Sequence, residues 1–247
     1  MVKHGLSIEA IDSVTGPVSG RPKSATFRTS DLVGLDTLVK VANGVGQNCP
    51  ADEMKEWFTI PSFLEKMLEN NWLGDKTGQG FYKKGKDADG NTVIESLNLT
   101  TLEYSAQDKP RFDSIGKARG ANRLSSKLGI LYSGGDPAAD FYHDIITAIA
   151  AYSANRIPKI ADDLYQIDDA LRAGFGWEVG PFETWDLIGF DKVLANIEKA
   201  GYVVPQWILD FKAKGNTTFY KSEYGKRKYY NILKAEYEVI PGTEAFI

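Results

Sequence analysis

Several features are scarce in this sequence, and each scarcity excludes a class of protein. The 247 residues include one cysteine, Cys49, so no disulfide can form within the chain, which fits a reducing compartment. With only His4 and His143, no Cys–His pair has a spacing that suggests catalysis. No apolar run approaches the roughly 20 residues of a membrane span. We therefore expect no membrane span and a cytoplasmic location.

Positive charge is also sparse. The net charge is -4 at pH 7 and the basic residues are scattered, which argues against nucleic acid as a partner because phosphate neutralisation requires clustered cations. The densest basic run, Lys226-Arg227-Lys228, lies between tyrosines in a predicted strand, where we interpret it as a solvated sheet edge. A hydrophobic content of 43% is ordinary for a globular protein with its own core.

An internal repeat is the main feature that is present. The sequence DLVGLD at 31–36 recurs as DLIGFD at 186–191. Three further landmarks recur in the same order: 11–12 as 167–168, 61–64 as 205–208, and 81–83 as 219–221. Four ordered matches predict a tandem duplication of a unit of roughly a hundred residues.

Hydrophobic periodicity predicts that each copy is mostly helical. In the first copy, Ser7 can cap a helix with Ile8, Ile11 and Val14 on one face. Further helices are predicted at about 30–45, 61–74, 137–156, 160–173, 190–200 and 205–214. Each copy ends in a predicted β-hairpin, at 80–94 and 219–230. We therefore expect an all-α protein of two helical domains, 1–104 and 121–247, joined by a linker at 105–120.

Candidate metal and nucleotide sites are weak. Asp87, Asp89 and Asn91 imitate the start of a calcium loop, but Gly90 is in the wrong place and no Glu follows at the twelfth position, so a hairpin turn is the better interpretation. The glycine pairs at 44–46 and 78–80 do not lie between a strand and a helix, as a dinucleotide fingerprint must. We predict no catalytic, cofactor-binding or metal-binding residue in this chain.

Two loops shaped by glycine and proline precede the repeated DLxGxD segments. The first, at 16–28, carries Arg21, Lys23 and Arg28, whereas the second, at 174–183, carries Glu178 and Glu183. A positive rim would attract an anionic ligand. The residues leave two alternatives for the first loop, which are a binding site for an anionic or long ligand and a structural corner.

The same loops carry a family resemblance. The pattern Gly-x-x-x-Gly-Pro-Phe-Glu-x-x-Asp-x-x-Gly-x-Asp at 176–191 resembles the C-terminal domain of 3-hydroxyacyl-CoA dehydrogenases. GRPKSATFRTSDLVGLD at 20–36 and WLGDKTGQGFYKK at 72–84 resemble the same domain in large bacterial members. Those members carry two such domains in tandem, often fused to an enoyl-CoA hydratase. Their C-terminal domains have a helical fold like that of 6-phosphogluconate dehydrogenase.

The resemblance implies a function that this chain would share with other parts of a longer protein. A preceding Rossmann domain would bind NAD and supply a His–Glu pair that oxidises (3S)-3-hydroxyacyl-CoA to 3-oxoacyl-CoA in fatty-acid β-oxidation. The polar start of the chain then indicates a cut, and the fragment would be inactive alone. The first copy would contact acyl-CoA through Arg21, Pro22, Lys23 and Phe27, and the second would stand in for a second subunit. The alternatives are a non-catalytic helical interaction module and a different helical enzyme with its own active site.

Overall fold

The computed structural model describes residues 4–243, which divide into two compact units. Unit 1 contains the chain up to Pro17 and Lys23–Phe112, and unit 2 contains Val18–Pro22 and the chain from Asp113 onward. A five-residue segment of the first loop therefore belongs to unit 2. The fold is helix-rich with two small antiparallel sheets, as the sequence predicts.

Unit 1 has four helices and one sheet among its described residues. The helices are α1 (Ile8–Val14), α2 (Phe27–Val33), α3 (Leu35–Asn48) and α4 (Ser62–Glu69), and the strands are β1 (Tyr82–Lys86), β2 (Thr92–Leu97) and β3 (Tyr104–Ala106). Ser7 caps α1 as predicted, since its side chain accepts a hydrogen bond from the Ala10 amide at 3.3 Å. The unit 1 core includes Ile8, Ile11, Val14, Phe27, Leu35, Met67 and Phe81.

Unit 2 has seven helices and one sheet among its described residues. The helices are α5 (Asp113–Gly120), α6 (Leu124–Ser133), α7 (Pro137–Asn155), α8 (Leu164–Phe175), α9 (Pro181–Ile188), α10 (Phe190–Lys199) and α11 (Gln206–Ala213), and the strands are β4 (Tyr220–Glu223), β5 (Lys226–Asn231) and β6 (Glu236–Val239). Asp136 caps α7 through the Ala139 amide, and Pro137 occupies the first turn. The unit 2 core is aromatic, with Phe219 in ring contact with Phe182, Trp185, Phe190 and Phe211.

Each predicted two-stranded hairpin is part of a sheet of three strands in the structure. Both sheets have three strands, in the order β1-β2-β3 and β4-β5-β6. The predicted linker at 105–120 holds the end of β3 and all of α5. The third strands are three and four residues long, too short to show a clear alternation of polar and apolar residues. The run Lys226-Arg227-Lys228 lies in β5, the central strand, so its interpretation as a sheet edge was wrong.

The helix predicted over about 30–45 is interrupted at Gly34. This residue has φ 97° and ψ 126°, a conformation open to glycine, and it separates α2 from α3. Gly189, with φ 118°, separates α9 from α10 in the same way. Asp31 and Asp186 therefore lie in the last turns of α2 and α9, at equivalent positions of the two units.

Candidate ligand-binding site

Two carboxylates, the half-buried Asp12 and the buried Asp168, hold the first and second loops against the helices that follow them. In unit 1, Asp12 accepts hydrogen bonds from the amides of Thr26, Phe27 and Arg28 and from the Tyr82 hydroxyl, at 2.7–3.2 Å. In unit 2, Asp168 accepts from the amides of Phe182 and Glu183 at 2.8 and 3.1 Å and from the Tyr220 hydroxyl at 2.6 Å. Each carboxylate thus satisfies amides at the start of a helix, where backbone donors lack partners.

A second pair of carboxylates fixes the start of each sheet. Asp31 accepts from the amides of Phe81 and Tyr82 at 2.8 and 2.9 Å. Asp186 accepts from the amides of Phe219 and Tyr220 at the same two distances. A β-carbon on Gly80 would lie 2.1 Å from the Asp31 carboxylate. The absence of a side chain at Gly80, the second glycine of the 78–80 pair, therefore allows Asp31 to approach the backbone at the start of the sheet.

Burial shifts the protonation of these carboxyl groups. It raises the pKa of Asp31 to about 6 and the pKa values of Asp168 and Asp186 to about 7. Asp168 is fully buried and its oxygens already have three donors. We therefore assign these carboxylates to holding the loops and sheets in place rather than to proton transfer with a ligand.

The predicted substrate residues do not all face one surface. Phe27 is buried in unit 1, where its ring meets Phe81 edge to face at 4.6 Å between centroids. Lys23 is exposed in unit 1. Arg28 forms a bidentate ion pair with Asp75, so its charge is already neutralised.

Arg21 and Pro22 belong to unit 2, where they contact the second loop. The Arg21 guanidinium lies over the ring of Trp177 at 4.0 Å from the ring centroid. The Gly20 carbonyl accepts a hydrogen bond from the Glu178 amide at 2.8 Å. Pro22 lies beside Gly176, since a β-carbon there would be 3.3 Å from the proline ring. The structure thus brings together two loops that lie about 155 residues apart in the sequence.

The comparisons with known proteins agree with this architecture. A family model described as "3-hydroxyacyl-CoA dehydrogenase, C-terminal domain" matches residues 1–84 and again 148–231. A probable 3-hydroxyacyl-CoA dehydrogenase of Bacillus subtilis is 43% identical over 240 residues, which are 97% of this chain and 29% of that protein. This chain belongs to the 3-hydroxyacyl-CoA dehydrogenase C-terminal domain family.

Two further relatives match over different shares of this chain. A putative fatty acid oxidation complex trifunctional enzyme of Rickettsia prowazekii is 24% identical over 84% of this chain and 28% of that protein. A probable 3-hydroxyacyl-CoA dehydrogenase of Deinococcus radiodurans is 48% identical over 35% of this chain and 24% of that protein. The chain therefore spans less than a third of the length of each of these relatives.

The family pattern at 176–191 in unit 2 contains a glutamate whose charge is neutralised by two arginines. Glu183, within the Gly-Pro-Phe-Glu part of that signature, is buried and is bound by both Arg172 and Arg227. Its second oxygen accepts a hydrogen bond from the Gly180 amide at 2.7 Å. Sequence reasoning counted Glu183 as a negative charge of the second loop, whereas the structure compensates it with two cations. Of the two loop glutamates, only Glu178 is exposed.

The weaker motifs of this family member also have structural roles. The Asp87 carboxylate accepts hydrogen bonds from the amides of Asp89 and Asn91 at 3.0 and 2.8 Å, which forms the predicted hairpin turn. Within residues 4–243, no three His, Cys, Asp or Glu side chains gather as a metal ion would require. None of the described helices combines the length and apolar character needed to cross a bilayer.

Sequence reasoning missed the unit 2 partners of Arg21. Trp177 stacks on it, and Tyr142 in α7 is buried within electrostatic reach of its guanidinium. These residues lie more than 120 positions from Arg21, and no spacing rule connects them. The signal that could have pointed to a contact is compositional, since an arginine and a tryptophan in two stiff loops often pair as cation and ring.

Proposed function

We propose that this chain is the substrate-side C-terminal part of an NAD-dependent 3-hydroxyacyl-CoA dehydrogenase. The intact protein would oxidise (3S)-3-hydroxyacyl-CoA to 3-oxoacyl-CoA in fatty-acid β-oxidation. The observation that carries this proposal is the match of one family description to two separate stretches of the chain, together with a much longer relative that is 43% identical over 97% of it.

We further propose that the two units descend from one duplicated domain. Asp12 and Asp168 play the same part, as do Asp31 and Asp186 with the first residues of each sheet. The offsets of these residues are 156 and 155 positions, which supports a repeat with one residue of difference between the loops. The second copy would then replace the second subunit of a single-copy relative.

NAD would bind outside this chain. When bound, NAD accepts the hydride from the 3-hydroxyl carbon. The described residues do not fit that cofactor, because both sheets are antiparallel and a dinucleotide site needs a parallel strand that leads into a helix through a glycine-rich turn. The glycine pair at 44–46 lies within α3, and Gly80 is packed against Asp31. The NAD-binding Rossmann domain, and any fused enoyl-CoA hydratase, would be contributed by the rest of the longer protein.

Acyl-CoA contact by the first loop stays a proposal centred on Lys23. Its side chain is exposed, and a flexible ammonium can reach a phosphate. Phe27 would support the loop from the core rather than touch the acyl chain, since Phe81 covers its ring. Lys23→Glu in the longer protein is expected to raise KM for acyl-CoA, more so at low salt, with little change in stability. An unchanged KM at low ionic strength would mean that the loop is a structural corner.

Activity measurements test the proposed function directly. The protein encoded by the complete reading frame should reduce NAD with (3S)-3-hydroxyacyl-CoA, while the 247-residue chain alone should not. Reduction of NAD by the chain alone, above a heat-inactivated control, would refute the assignment of chemistry to another domain. No turnover by the complete protein with acyl chains of several lengths would favour the non-catalytic interaction module.

A further inference from the structure

A cavity of about 320 Å³ lies in unit 2 between α11 and the turn that joins β5 to β6. Trp207, Asp210 and Lys214 line it from one face of α11 and its C-terminal cap. Tyr230 of β5 and Ile232 of the turn line it from the sheet. This volume is at the lower end of the range for small-molecule sites, so a ligand that fits it is small.

Tyr230 brings an open hydroxyl to this cavity. The residue is 3% exposed, and its ring meets that of Phe211 edge to face at 4.7 Å between centroids. Among the residues that the structure describes, no group forms a hydrogen bond with this hydroxyl, yet its oxygen is not sealed from solvent. A buried tyrosine hydroxyl usually has a partner. The Tyr230 hydroxyl is therefore a donor that a ligand in the cavity can use.

Two opposite charges lie at the rim of the cavity without pairing. Asp210 and Lys214 are exposed and four positions apart, a spacing at which acidic and basic residues of a helix commonly form an ion pair. Within the described chain, Lys214 has no ion-pair partner, and the Asp210 carboxylate accepts a hydrogen bond from the Gln206 side-chain amide at 2.9 Å. The rim thus offers both an anion and a cation to a ligand.

Trp207 gives the cavity a fixed aromatic wall. Its indole Nε1–H donates a hydrogen bond to the Ala154 carbonyl at 3.0 Å, which holds the ring in place. Ile232 adds aliphatic surface from the turn after β5. An apolar wall below a charged rim suits a ligand that carries its polar groups at one end and an apolar group at the other.

The equivalent place in unit 1 lacks these polar groups. The match of 61–64 with 205–208 aligns α4 with α11. The sheets align through the amides of residues 97 and 230, each of which donates at 2.9 Å to the carbonyl of the phenylalanine before the first strand. Across the repeat, the carboxylate, the ammonium and the hydroxyl are replaced by Lys66, Asn70 and Leu97. The shared fold forms without the three polar groups, so folding does not account for them.

We propose that Trp207, Asp210, Lys214 and Tyr230 form a binding site in unit 2 for an α-amino acid with an apolar side chain. The ammonium group of the ligand binds Asp210, and its carboxylate accepts hydrogen bonds from Lys214 and Tyr230. Its apolar side chain packs against the ring of Trp207. The site is independent of the proposed dehydrogenase function.

Titration of the 247-residue chain with L-leucine tests the site. The signal is the indole N–H of Trp207 in proton–nitrogen NMR spectra, which Trp207→Phe identifies by its loss. We expect a saturable shift with leucine. Leucinamide, N-acetyl-leucine and glycine lack the carboxylate, the charged amine and the apolar side chain in turn, and each should bind about tenfold more weakly or less.

Variants of the lining residues test each contact. Lys214→Met and Asp210→Asn should each raise the Kd for leucine about tenfold, and Tyr230→Phe about fivefold. Lys212→Met is the matched control, because Lys212 is an exposed lysine of the same helix outside the lining of the cavity. Its Kd should equal that of the wild-type chain. Circular dichroism checks that every variant keeps the fold.

Three outcomes would overturn the proposal. These are no saturable shift with leucine, binding of any of the three analogues as tight as that of leucine, and equal Kd values of the wild-type and Lys214→Met chains. Asp210 and Lys214 are exposed, so a loss of binding in their variants reports on the site rather than on folding. None of these results depends on turnover, so the site can fail while the dehydrogenase proposal stands, and the reverse.

Discussion

The helix pair α2–α3 of unit 1 and its counterpart α9–α10 of unit 2 have the same break at glycine but different surroundings. In unit 2, α7 packs on both α9 and α10, and α6 packs on α9. In unit 1, α3 packs on α2, α4 and the turn at Lys55–Phe58. Leu38 is 39% exposed, whereas Val193 at the equivalent position is completely buried. Similar apolar patterns on two helices therefore have different burial because different neighbours fold against them.

The two units also differ where α1 and α8 meet the central strand of each sheet. In unit 1, the buried Glu9 accepts a hydrogen bond from the Ser96 hydroxyl. In unit 2, the corresponding residues are Tyr165 and Tyr229, whose rings meet edge to face at 4.7 Å. The shared fold of the two units thus accepts either a polar pair or an aromatic pair at this position. The aspartates at positions 12, 31, 168 and 186 keep the same roles in both units.

The largest difference between the units is expected in the loss of unfolding free energy when an aspartate replaces an apolar residue at equivalent positions. Val193→Asp places a carboxylate in the unit 2 core and should cost about 4 kcal/mol or more of the free energy of unfolding. Leu38→Asp changes an exposed position and should cost less than about 1 kcal/mol. Urea denaturation followed by circular dichroism measures both. Equal costs would mean that the α2–α3 face is covered in solution.

The next largest difference concerns residues 28 and 183, which occupy equivalent positions with opposite charge. Glu183→Gln leaves two arginines without their shared carboxylate and should cost about 3 kcal/mol. Arg28→Gln breaks one largely exposed pair with Asp75 and should cost about 0.5 kcal/mol or less. The comparison is made by thermal unfolding at low and high salt. A strong salt effect on Glu183→Gln would contradict the buried position of that cluster.

A smaller difference is expected at the two tyrosines that bind the aspartates. Tyr220→Phe removes a donor from the fully buried Asp168 and should cost about 2 kcal/mol. Tyr82→Phe does the same to Asp12, which is half-buried and keeps three backbone donors, and should cost about 1 kcal/mol. Chemical denaturation of the two variants in the same buffer provides the measurement. A larger cost at Tyr82 would reverse the assigned order of burial.

The two units should also differ in the pH range over which their buried aspartates affect the free energy of unfolding. Folding raises the carboxyl pKa from 3.8 to about 6 at Asp31 and to about 7 at Asp168 and Asp186. The folded state therefore binds more protons than the unfolded state above pH 3.8, so stability falls as pH rises through this range. The fall should end near pH 6 for Asp31 and near pH 7 for the unit 2 pair. Carboxyl carbon NMR titration would contradict this if the three groups titrate near pH 4.

The fold could be predicted from the sequence where capping residues or hydrophobic periodicity mark a helix within a short stretch of chain. Ser7 and α1, Pro137 and α7, and the glycine ends of the helices follow from capping rules and hydrophobic period. The break at Gly34 was missed because apolar residues continue on one face across it, and only the left-handed backbone shows the interruption. The strands β3 and β6 were missed because a strand of three or four residues exists through its partner and has little pattern of its own.

The sequence by itself determined the family, the repeated DLxGxD segments and the bounds of helices α7, α10 and α11, since these depend on residues close together along the chain. Only the tertiary structure decided which of the loop charges are neutralised by ion pairs. Arg28 and Glu183 look like free loop charges in the sequence but are neutralised by Asp75 and by two arginines. Arg21 looks like one more loop cation in the sequence, whereas in the structure its guanidinium lies over the ring of Trp177. Charge compensation depends on distances between remote residues, and no local pattern encodes those distances.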